Sequence, residues 1–199
     1  FFFFFQDLCT GFGVTLKLFA LTLVIAIPLG FILAFLSMAR FRPVSMLTKV
    51  IIWVVRGTPL LLQCVIVTFI PSMVFDVPNK ELAAMLQLDK IADLQFLFVL
   101  VAFALNYACY FAVIFEGGIK NVSVGQHEAG QVLGMTKTQI FRHVVLMQVV
   151  RKITAPMSNE IITLVKDTAL ARALSVIEII AVAYEKVNKY AVLSPLLYA

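Results

Sequence analysis

From Leu18 to Ala39 the chain runs 22 residues without a charged side chain, and from Leu94 to Phe115 it does so again. At 1.5 Å per residue each run makes a helix of about 33 Å, enough to cross a hydrocarbon core of about 30 Å. Lipid offers no partner to a bare N–H or C=O, so such runs must satisfy their backbone internally, as helices do. Pro28 and Gly30 lie inside the first run, and membrane helices tolerate both. Of the 199 residues 62% are hydrophobic and only 14% are charged, where a soluble domain carries about a quarter. The length suits a single domain over residues 1–199, expected to be an all-α membrane protein.

A further span is expected from near Val50 to about Phe75, interrupted at Arg56-Gly57-Thr58-Pro59, and a fourth from near Val144. Between them, Asp76 to Asp93 is polar, with Pro78 and Asn79 as turn residues. The stretch Ala173 to Tyr184 holds Glu178 and is too short to cross, so an outer-surface or re-entrant helix is expected. The last ten residues, YAVLSPLLYA, are uncharged but too few to span. The opening FFFFFQDLCTGFG lacks a basic region and a small-residue cleavage site, so it is not read as a signal peptide.

Charge orients these segments. Residues 39–49 carry Arg40, Arg42 and Lys49 and no acid, and residues 116–152 carry five basic side chains against two acidic. Residues 75–95 reverse the balance, with two basic and four acidic. The positive-inside rule therefore puts the first and third loops in the cytoplasm and the N-terminus outside. The net charge of +5 is spread over short loops, unlike a phosphate-tracking stripe, so nucleic acid is not an expected partner. Cys9, Cys64 and Cys109 form no CxxC and no cluster with histidine; packing, not metal binding, is expected of all three.

The cytoplasmic stretch Ser123 to Met147, SVGQHEAGQVLGMTKTQIFRHVVLM, is punctuated as two helices. Ser123 with Gln126 reads as a capping box, Gly134 as a left-handed helix end, and Thr136 with Gln139 as a second box. On helical spacing Ala129, Leu133, Ile140 and Val144 fall on one face, with Gln131, Lys137 and Arg142 open to water. The plainest reading is an amphipathic helix at the interface.

Three polar side chains lie at membrane depth. Arg56 should face protein or a water-filled cavity, where it either snorkels, pairs structurally or meets a substrate. Glu160 stands in the middle of the fourth span, four residues after Pro156, with no basic residue at i±3 or i±4. It must be protonated, paired across helices or poised for a cation, and intramembrane acids are functional by default. Asn106 in the third span is either a helix–helix hydrogen bond or a pocket amide.

Several of these segments resemble one family. Glu128-Ala129-Gly130 followed by Gly134 resembles the EAA signature of the membrane subunits of ABC importers, with Gly130 in place of the second alanine, Val144 of an isoleucine and Met147 of a proline. VVRGTPLLLQ around Arg56 and NEIITLVKDTAL after Asn159 resemble signatures of their polar amino-acid permeases, of the histidine, glutamine and arginine type. The resemblance runs from Gly13 to Glu178 and implies a type I ABC importer-like transmembrane domain of about five spans. The fifth is then expected to be incomplete in this chain. It implies that residues 120–147 are the coupling-helix loop, with Glu128, Ala129, Gly130 and Gly134 meeting an ATPase dimer. It implies too that Asn106 and Glu160, with Arg56 as a further candidate, touch an amino-acid substrate, which the acid suggests is basic.

A bacterial inner-membrane location, a second permease protomer (identical or a close paralogue), an extracytoplasmic amino-acid-binding protein and surrounding lipid are the other implied partners. The chain has no GxxxxGK[ST] pattern, so ATP and Mg²⁺ would be bound by a separate chain and no cofactor belongs to this one. Two rivals differ in class. An ion- or proton-coupled secondary amino-acid carrier would use Glu160 as a relay and work without an ATPase. A membrane-embedded enzyme would need a nucleophile–base or metal set, yet both histidines, His127 and His143, fall in the cytoplasmic loop.

Overall fold

The structure is a computed structural model that describes residues 2–74, 76–88, 90–174 and 176–190. Its regular elements among these residues are all helices: α1 (Phe2–Ser37), α2 (Arg42–Gly57), α3 (Leu60–Val74), α4 (Asn79–Met85), α5 (Ile91–Lys120), α6 (Val124–Val132), α7 (Lys137–Gln139), α8 (Leu146–Asp167) and α9 (Ile179–Tyr190). A π-helical stretch, Ile140–Val145, joins α7 to α8, and a 3₁₀ turn, Thr168–Leu174, follows α8. The expected end of a fifth span, residues 191–199, lies outside the described residues.

By length and apolarity two helices can cross a membrane, α1 from Gln6 and α5, or three if α2 and α3 form one broken span. Five spans are therefore not reached among the described residues. α8 is long enough at 22 residues, but Arg151, Lys152, Glu160, Lys166 and Asp167 keep it from being a uniformly apolar run. The helix that opens the expected second span begins at Arg42, ahead of Val50, with Pro43 in the first turn, where its missing N–H costs nothing. It breaks at Thr58-Pro59, since the proline ring disfavours a helical Thr58. The 12-residue segment from Ala173 is not one helix: the 3₁₀ turn ends at Leu174 and α9 begins at Ile179.

The chain forms two compact units. The first comprises residues 1–25, 58–106 and 163–199. Within it Ala83, Leu94 and Phe98 pack with Val67, Leu82 and Leu88, while Leu8 packs with Val182 and Ala183. The carboxylate of buried Glu178 accepts the N–H groups of Ile180 and Ala181, at 2.7 Å each, and so caps α9. The neighbouring Ile179 N–H reaches the Thr15 hydroxyl of α1 at 3.2 Å.

The second unit comprises residues 26–57 and 107–162. Here α1 and α5 come so close that a Cβ on Gly30 would lie 2.8 Å from the Ala108 carbonyl oxygen. Ser37, fully buried at the end of α1, donates to Glu116 Oε2 at 2.7 Å, and Glu116 also pairs with Lys120. Of the two long apolar helices α5 is the more buried, with 67% of its apolar stretch covered against 28% for α1. Cys64 and Cys109 are packing residues as expected, but Cys9 is exposed.

Candidate functional site

The stretch 123–147 folds as two helical pieces with a tight stop between them. At the end of α6 the Gly134 N–H bonds Gln131 O at 2.9 Å and the Met135 N–H bonds Gly130 O at 3.0 Å. This paired closure needs a left-handed residue, and Gly134 supplies it with φ of 71°. Thr136 then restarts the chain with the expected capping box: its N–H reaches Gln139 Oε1 at 2.8 Å and its hydroxyl accepts from the Gln139 N–H.

The first box does not form. Ser123 has the extended backbone of an N-cap, but its hydroxyl makes no cap bond. Gln126 is taken instead by Gln148 of α8, whose Nε2 donates to Gln126 Oε1 at 2.9 Å. A three-residue spacing in sequence cannot reveal a competitor 22 residues away.

The expected apolar face is also corrected. Val122, Ile140, Val145 and Val149 form the buried cluster under the loop. Ala129 is exposed and Leu133 is 78% exposed. Gly130 takes the inward place instead: a Cβ there would lie 2.6 Å from Ile140 Cγ1, so α6 can rest on Ile140 only through a residue without a side chain. The glycine in place of alanine is thus matched to this isoleucine. Glu128, Ala129, Val132 and Leu133 are left on the outside, Val132 at 88%. Together they make a small outward patch, apolar with one acid. Lys152 Nζ adds a second tie from α8, to the Asn121 carbonyl.

Of the membrane-depth residues, Asn106 belongs to the first unit and Arg56 and Glu160 to the second. Asn106 is buried, and its Nδ2 donates to Gln63 Oε1 of α3 at 3.1 Å, a hydrogen bond between helices. Gln63 in turn donates to the Thr58 carbonyl at 3.0 Å and hydroxyl at 2.8 Å, taking up a carbonyl that the break at Pro59 releases. Arg56, in the other unit, is exposed and stacks its guanidinium 4.9 Å from the ring centre of Tyr110. Glu160, half-buried in α8, is not without an interaction, which agrees with the alternative of a paired acid. Gln63 and Tyr110 escaped the sequence reading; an amide seven residues after an intramembrane arginine was the available signal for Gln63.

With this geometry in hand the comparisons identify the class. The family described as "binding-protein-dependent transport system inner membrane component" matches residues 26–177, and the chain belongs to that family. It is similar to the octopine transport system permease protein OccM of Rhizobium radiobacter, 31% identical over 93% of this chain and 73% of that protein. The arginine transport system permease protein ArtQ of Bacillus subtilis is 31% identical over 95% and 80%, and the L-cystine permease TcyB of the same organism 33% over 92% and 71%. Among solved structures, an amino acid ABC transporter crystallised with histidines matches with a TM-score of 0.79 and 27% identity, covering 97% of this chain and 84% of that one. The resemblance to ABC-importer permeases is therefore borne out, and with it a type I permease fold.

Proposed function

We propose that the chain is the membrane-spanning subunit of an ATP-driven importer that carries polar, basic amino acids into the cytoplasm. The observation that carries this reading is the stretch 123–147, which turns Glu128, Ala129, Val132 and Leu133 outward on a base formed by Ile140, Val145 and Val149. In the proposal it is the coupling loop within a single permease domain, and Glu128, Ala129, Gly130 and Gly134 shape the face that meets an ATPase dimer. Relatives named for arginine support a cationic cargo. Asn106, Glu160 and Arg56 are the proposed contacts: a carboxylate for the cation, an amide for the amino-acid head, and a guanidinium for its carboxylate.

Transport follows as alternating access, with two permease protomers rocking as the ATPases close and open. An extracytoplasmic binding protein delivers the amino acid. ATP and Mg²⁺ stay on the separate ATPase, the N-terminus faces outward and the loop faces the cytoplasm. The ion-coupled carrier is not favoured, because the matched family is that of binding-protein-dependent systems. Purification in mild detergent tests the proposal. An ATPase should copurify with the wild-type chain, and its absence from every preparation that retains the second permease would overturn it.

A further inference from the structure

One face of α2 has no role in the proposed transport cycle. Arg42, Met46, Lys49 and Trp53 follow one another at spacings of four, three and four, so they stack as one stripe along the helix. Together with Ala39 and Pro43 they line an open groove of about 720 Å³. Met46 and Trp53 are 71% and 77% exposed, unusually bare for side chains of that size.

The stripe is electrically one-sided. Residues 39–49 hold three cations and no acid. Lys49 lies within electrostatic reach of Glu116, but that carboxylate is already shared by Lys120 and Ser37. Arg42 and Lys49 make no ion pair among the described residues. Two cations about 10 Å apart along a helix, alternating with a thioether and an indole, fit a molecule that carries a phosphate and a hydrocarbon tail. Neither a free anion nor a neutral lipid uses both halves of the stripe.

We propose that this face of α2 binds an anionic phospholipid, its phosphate held by Arg42 and Lys49 and its acyl chain laid along Met46 and Trp53. The proposal needs only that the chain lies in a membrane, so it stands apart from the substrate reading. It also makes the first cytoplasmic-side turn of α2 sensitive to lipid charge.

Trp53 is the chain's one tryptophan and reports on the site directly. The full chain in phosphatidylcholine nanodiscs is titrated with phosphatidylglycerol brominated on its acyl chains, and separately with brominated phosphatidylcholine. Phosphatidylglycerol should quench Trp53 at a mole fraction about 25-fold lower, about fivefold for each of the two cations. In Arg42→Gln and Lys49→Gln variants that advantage should shrink by about fivefold per cation removed, with quenching by phosphatidylcholine unchanged. Equal quenching by both lipids would overturn the proposal, since it would mean ordinary bilayer contact. Quenching by neither would overturn it too, as a protein would then cover the face. Millimolar inorganic phosphate should leave the quenching as it is; relief by phosphate would assign the cations to a free anion and also sink the proposal.

Discussion

Gln148 of α8 donates its side-chain amide to Gln126 of α6 at 2.9 Å, and the same amide reaches back to the Val144 carbonyl at 3.1 Å. The loop is therefore held to the helix that bears Glu160 by a side-chain bond as well as by the chain itself.

Cutting that tie should loosen the transmission of movement without dissolving the assembly. Gln148→Leu and Gln126→Leu each remove one hydrogen bond worth about 0.5–1.5 kcal/mol. ATP-driven uptake per ATP hydrolysed should fall in both, and the double variant should be no worse than either alone. Additive losses would mean that the two amides act separately.

Gly130 and Ile140 should behave as a pair. Gly130→Ala places a Cβ against Ile140 and should weaken copurification of the ATPase. Ile140→Ala, which removes the opposing atoms, should restore it in the double variant, with a coupling of about 0.5–3 kcal/mol. Gly134→Val has no such suppressor, because its strain lies in a backbone φ of 71°, and it should lose ATPase association with the chain still inserted. Normal transport by Gly134→Val would refute the coupling role.

Asn106 allows its two readings to be separated. Asn106→Leu and Gln63→Leu remove an interhelical bond of about 0.6–1.7 kcal/mol, and a purely structural pair would shift melting temperature and transport together. A pocket amide predicts transport lost well beyond the stability change in Asn106→Leu alone.

Glu160→Gln keeps size and removes charge. For a cationic amino acid, affinity at the transmembrane site should fall by one to two orders of magnitude, about 1.5–3 kcal/mol, with ATPase assembly intact. Unchanged uptake of arginine, lysine and histidine would leave Glu160 structural and the cationic cargo unsupported.

Sidedness can be read by labelling in a Cys9→Ser background, which removes the exposed native thiol. Cysteines at the exposed positions Lys80 and Ser123 should react from opposite sides of the membrane, Lys80 from outside. Reaction of both from one side would overturn the charge-based orientation.

The legible parts of this chain were those written in local chemistry. Uncharged runs marked α1 and α5, Pro59 marked the break after α2, and Gly134 with Thr136 marked the stop and restart in the loop. The illegible parts depend on partners far along the chain. Gln148 takes the glutamine meant for Ser123, Gln63 takes Asn106, and Tyr110 takes Arg56. Pattern along one helix cannot rank such competitors, since each is decided by which helix packs beside which.

The π-helical stretch Ile140–Val145 makes the loop and α8 into two gears cut to different pitches. A π turn holds an extra residue, so the side chains beyond it lag those of a continuous α-helix by about 100° for each residue added. A face counted from Ile140 at α-helical spacing cannot be carried across it unchanged: Val145 and Val149 are buried, and Val144, half-buried, packs against the same cluster. Losing a single residue between Ile140 and Val145 would barely shorten the loop, yet it would turn α8, Glu160 included, by about 100° relative to the loop. Length is cheap in that segment and phase is not.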